Sequence, residues 1–113
     1  MSMYTPQSKE EPSTQPYNKL TLAEAERLAM LAEERAEIIQ VVGKILRHGY
    51  DSFHPADPNT SNRQLLQREI ADLIAVRVLM CDDAGDLEWS SFSDVQEARQ
   101  NKLRYSHPQG EFL

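Results

Sequence analysis

Two stretches of this chain hold carboxylates three residues apart, and each sets a glutamate inside an apolar stripe. The first is Leu31-Ala32-Glu33-Glu34-Arg35-Ala36-Glu37 and the second is Arg68-Glu69-Ile70-Ala71-Asp72. Leu31, Glu34, Ile38, Val41 and Ile45 follow steps of three and four residues, which puts them on one side of a helix. That side is apolar except for Glu34. Leu66, Glu69, Leu73, Val76 and Met80 repeat the pattern, apolar except for Glu69. Glu37 and Asp72 stand three residues further on, at the edge of the same faces. If the two stripes pack together, four carboxylates can converge.

Such a cluster calls for a cation. Like charges at this spacing cost an exposed helix about 0.2–0.5 kcal/mol per pair. Taking them out of water costs more, or forces protonation. An all-oxygen donor set suits Mg²⁺, with Mn²⁺ as a substitute, better than Zn²⁺. Mg²⁺ commonly shares its shell with substrate phosphates. A di-iron carboxylate bundle would want Glu-x-x-His, and no histidine stands three residues after any of these acids. His48, His54 and His107 fall at helix ends or in loops. Glu-x-x-Glu alone is common on solvated helices. The plain structural alternative is that Glu34 and Glu69 pair with Arg35, Arg68 or Arg77.

The elements that position these acids read as helices. Thr21 with Glu24 forms a capping-box pattern ahead of a helix over residues 22–48. Its composition favours helix, and it is roughly 40 Å long at 1.5 Å per residue. Lys44, Arg47 and His48 suit its C-terminal dipole, and Gly49 is placed for a left-handed stop. Residues 49–61, with Pro55, Pro58, Asp51, Asp57 and Asn59, are loop chemistry. Ser61 with Gln64 offers a second capping box, and a second helix follows from Asn62 to about Cys81. A third starts near Ser91 or Ser93 and ends about Tyr105. No strand or repeat is evident. The expected fold is all-α, a bundle of about three main helices.

Residues 1–19 carry Pro6, Pro12 and Pro16 among polar residues and read as a flexible arm. Residues 20–105 form one helical domain, and residues 106–113, with Pro108 and Gly110, form a tail. A chain of 113 residues builds only a modest core, so self-association would help it. The net charge of −6 speaks against a nucleic-acid backbone as partner. Cys81 is the sole cysteine, so no intramolecular disulfide forms, which fits a reducing cytoplasm. The N-terminus lacks the apolar core of a signal peptide. No stretch is long enough to span a membrane, and no membrane partner is expected.

The run Leu31-Ala-Glu33-Glu34-Arg-Ala-Glu37-Ile-Ile-Gln40, followed by Glu69-Ile-Ala-Asp72, resembles the MazG-type all-α nucleoside triphosphate pyrophosphohydrolases. It matches their Glu-Glu-x-x-Glu and Glu-x-x-Asp motifs. Gly43-Lys44-Ile-Leu-Arg47-His48-Gly49 is similar to the small members encoded by phages and bacteria. Asn101-Lys102-Leu-Arg104-Tyr105 resembles the family's basic end. The likeness covers roughly residues 20–105. The loop at residues 50–61 is longer than is typical, and residues 1–19 are too Pro-rich to supply the helix that often precedes the first acidic one.

The resemblance implies hydrolysis of a nucleoside triphosphate, deoxyribonucleotides foremost, to monophosphate and pyrophosphate in the cytoplasm. It implies Mg²⁺ held by Glu34, Glu37, Glu69 and Asp72, with Glu33 and Glu37 as candidate catalytic residues. Glu33 could orient or deprotonate the attacking water, or it could be an exposed residue paired with Arg35 or Lys44. Lys44, Lys102 and Arg104 are candidates for binding substrate phosphates, or solvated cations at helix ends. Trp89 and Phe92 could stack on a base or anchor a core or subunit interface. A homodimer or homotetramer, as in the family, would complete the bundle and the pocket. The alternatives are a non-catalytic helical interaction or structural oligomer, and a hydrolase of another pyrophosphate-containing nucleotide.

Overall fold

Helix starts are fixed locally. Thr21 Oγ1 accepts from the Glu24 backbone N–H at 3.0 Å, and Glu24 Oε1 accepts from the Thr21 backbone N–H at 2.8 Å. This reciprocal pair opens α1, Leu22–His48. Ser61 and Gln64 make the same exchange, at 2.8 and 3.2 Å, and open α2, Asn62–Val78. Both capping boxes stand where the sequence pattern puts them. Ser91 accepts from the Asp94 backbone N–H at 3.0 Å and opens α3, Phe92–Arg104. The computed structural model describes residues 17–107. Most of the N-terminal arm and of the C-terminal tail lie outside the described residues.

Gly49 stops α1 with a positive φ of 89°, its N–H donating to the Ile45 carbonyl at 2.7 Å. Its ψ of 167° takes it out of the left-handed helical region into one that only glycine uses readily. The chain therefore leaves α1 extended rather than curling over it. A tight connection then reverses it. The Asn62 and Arg63 N–H groups donate to the Ser52 and Tyr50 carbonyls, both at 2.8 Å. The buried Asn62 side chain donates to the Gly49 carbonyl at 3.2 Å. Arg63 lies over the Tyr50 ring, 4.3 Å from its centroid. Phe53 and Ser61 form an isolated antiparallel bridge; the fold is otherwise helical among the described residues.

α1 and α2 pack as a hairpin. Val41, Val76 and Met80 are its buried apolar residues, and all three belong to the stripes read from the sequence. α2 does not end as a plain α-helix. Leu79–Asp83 form a π-helical turn in which the Ala84 N–H reaches back to the Leu79 carbonyl at 2.9 Å. The Met80 carbonyl then accepts from Asp86 at 2.8 Å and from Leu87 at 3.3 Å, so the chain folds back over the most buried side chain.

That returning connector is pinned from two sides. Arg27 of α1 pairs with Asp86 through two hydrogen bonds, Nη2 to Oδ1 measuring 3.0 Å. Arg77 of α2 donates to Ser90 Oγ at 2.7 Å and lies over the Trp89 ring, 5.0 Å from its centroid. The Trp89 indole N–H donates to Asp82 at 2.6 Å. α3 then departs without forming a packed interface with α1 or α2, and none of its residues is buried. No helix among the described residues is long and apolar enough to cross a membrane.

Candidate metal centre

Antiparallel packing of α1 on α2 brings the two acidic motifs level. Glu34, Glu37 and Glu69 each place a carboxylate oxygen so that all three lie within 4.8 Å of one another. All three residues are half-buried. One oxygen each of Glu34 and Glu69, Oε1 in both, is shut off from water and meets no hydrogen-bond donor among the described residues. A carboxylate oxygen left this way is unusual, because buried polar atoms are normally paired.

The electrostatics follow from the packing. Burial first, and then the charges of Glu37, Asp72 and Glu33, push the Glu34 carboxyl above its ordinary range. Glu69 is also raised, first by the close approach of the Glu37 side chain at hydrogen-bonding range, then by burial and the charges of Glu37, Asp72 and Glu34. Each perturbation disfavours a second negative charge at the same place. Asp72 contributes to this field but stands exposed, outside the group of three.

The arginines do not neutralise the cluster. Arg27 pairs with Asp86 and Arg63 with Asp51. Neither Arg35 nor Arg68 reaches Glu34 or Glu69, and Arg77 is turned to Ser90. Glu33 and Lys44 are exposed on α1, and Glu33 forms no ion pair with Arg35 or Lys44. Lys102 and Arg104 lie on the last turn of α3, which this chain does not bring onto the hairpin. Trp89 braces the connector, and Phe92 is 79% exposed.

The Arg27–Asp86 pair and the Trp89–Asp82 bond carry no sequence signal that separates them from other surface charges. They arise because the π-helical turn and the connector fold back. Comparison with known proteins finds no matching family model, no matching curated protein and no matching solved structure.

Proposed function

We propose that the protein is a Mg²⁺-dependent hydrolase that cleaves nucleoside triphosphates, deoxyribonucleotides foremost, to monophosphate and pyrophosphate. The observation that supports this most is the pair of buried, donorless carboxylate oxygens on Glu34 and Glu69. An anionic oxygen facing neither water nor a donor fits a divalent cation, and the third carboxylate of Glu37 is within reach of the same ion. The all-oxygen donor set favours Mg²⁺, with Mn²⁺ as a substitute. Bound there, the metal would neutralise charge on phosphate oxygens and make a water more acidic.

The chain's own residues divide the remaining work. Glu34, Glu37 and Glu69 hold the cation, and Asp72 adds negative charge at the rim. Glu33, next to Glu34 in the sequence, would take a proton from the attacking water. Lys44, Lys102 and Arg104 bind phosphate oxygens. Because Lys102 and Arg104 ride on α3, a second copy is the natural source of those two cations. The working form is thus a homodimer or homotetramer, in the cytoplasm of a bacterium or of a phage-infected host.

The test is a panel of ribo- and deoxyribonucleoside triphosphates, with and without Mg²⁺, read as pyrophosphate release. Release from at least one nucleotide, dependent on the metal and reduced at least a hundredfold by Glu37→Gln or Glu69→Gln, is expected. No release, or release untouched by those substitutions, ends the enzyme reading.

A further inference from the structure

Two of the apolar surfaces among the described residues do not meet. One is an open cleft of about 660 Å³ on the α1–α2 hairpin, walled by Leu31, Ile38, Leu73 and Leu87 with Arg35 and Arg77 at its polar edge. Ile39 also lines it and is 67% exposed, and Val42 and Leu46 continue the Ile39 stripe along α1, at 38% and 82%. Ile70, seven residues before Arg77 and so on the same side of α2, is 40% exposed. The second place is α3. Phe92, Val95, Arg99 and Leu103 follow steps of three, four and four residues, and its apolar members are 79%, 49% and 37% exposed.

None of the three clustered glutamates lines the cleft, which adjoins their site: Leu31 and Ile38 share the stripe of Glu34, and Leu73 that of Glu69.

Neither apolar surface is stable as it stands. A 13-residue helix is marginal in water unless its apolar stripe is packed. The hairpin buries only Val41, Val76 and Met80 among its apolar side chains. The Cα radius of gyration is 19.4 Å, against about 12–13 Å for a closed globule of this length. The chain's own α3 is held off the cleft. Asp86 is tied to Arg27, Ser90 to Arg77 and Trp89 to Asp82, and the Ser91 cap fixes the first turn one residue later.

We propose that two copies of this chain exchange their third helices, each α3 lying in the hairpin cleft of its partner. Three features favour the exchange. A covering surface must be present whenever the chain is folded, and a second copy always is. A twofold axis satisfies both cleft and both helices at once. The apolar side chains named on the two surfaces amount, over two copies, to on the order of 1,500 Å², inside the range of a stable interface at about 1,200–2,000 Å². The inference takes up the self-association in the functional reading but owes nothing to metal or nucleotide.

The experiment uses the full chain without nucleotide. Light scattering should give twice the monomer mass. Phe92→Asp, on the helix, and Ile39→Asp, in the cleft, should each weaken association at least tenfold, with the helical circular dichroism of the α1–α2 hairpin retained because both positions are exposed. Mixing the two variants should restore a dimer through one intact helix-in-cleft contact. Amide hydrogen exchange should show α3 protected in the wild-type dimer and unprotected on dilution. A monomeric wild type overturns the proposal together with the oligomer part of the functional reading. A dimer indifferent to Phe92→Asp, one in which α3 exchanges freely, or failure of the mixed variants to associate overturns the exchange alone.

Discussion

Glu34 sits at the residue scale as a choice between stability and chemistry. Its carboxyl is raised by burial and by neighbouring acids, and Glu69 is raised with it. A raised carboxyl in the folded state means that folding favours the protonated form. That contribution is fully present below the unfolded value near 4.5 and is lost as pH rises through the folded value. Without metal, the melting temperature should therefore rise, followed by calorimetry, as pH is lowered from neutral towards the unfolded value. Glu34→Gln removes the charge while keeping the shape, so it should raise the metal-free melting temperature at pH 7 by several degrees and flatten that pH slope. Under the metal reading, Mg²⁺ at a hundredfold over its dissociation constant adds about 2.7 kcal/mol to the wild type and markedly less to this variant. A wild type that melts identically with and without Mg²⁺ counts against a cation site. The stripe pattern made Glu34 and Glu69 legible as half-buried acids, because helical spacing alone decides which side chains share a face. It did not separate Asp72 from the other three, since its exposure depends on how α2 is rotated in the hairpin.

At the scale of elements, what was legible is what is local. The two capping boxes involve residues three apart, so Thr21, Glu24, Ser61 and Gln64 announce α1 and α2 from the chain itself. The turn between them depends on Asn62, whose side chain reaches the Gly49 carbonyl across 13 positions. Asn62→Ala should cost about 1–2 kcal/mol in denaturant unfolding, the worth of one buried hydrogen bond and of an acceptor left bare. A loss under about 0.3 kcal/mol would show that the backbone bonds of the turn suffice. The π-helical turn was not legible, since Leu79-Met80-Cys81 reads as ordinary helix. Its cause lies in packing: Met80 is buried to 2% exposure, and its carbonyl turns to accept two connector N–H groups. The direction of α3 was hidden for the same reason. It is set by Arg27 and Asp86, 59 residues apart, and by Arg77 reaching Ser90.

Among the described residues the molecule is all-α, with three main helices, yet many of its large apolar side chains lie exposed to solvent. Ordinary domains of this size hide that surface inside themselves. The melting temperature should accordingly climb with protein concentration, as it does when folding and association are linked. A midpoint constant over a hundredfold range of concentration would mark a self-sufficient monomer. The Arg27–Asp86 pair has a further consequence for such an assembly. A helix reaching into a neighbour's groove is a head-to-tail contact, and only the angle at which it leaves decides whether two chains close into a ring or add without end. One guanidinium and one carboxylate hold the α1 side of that angle. Asp86→Ala should loosen it and let chains propagate, giving polydisperse, filament-forming species by light scattering where the parent gives a single closed particle.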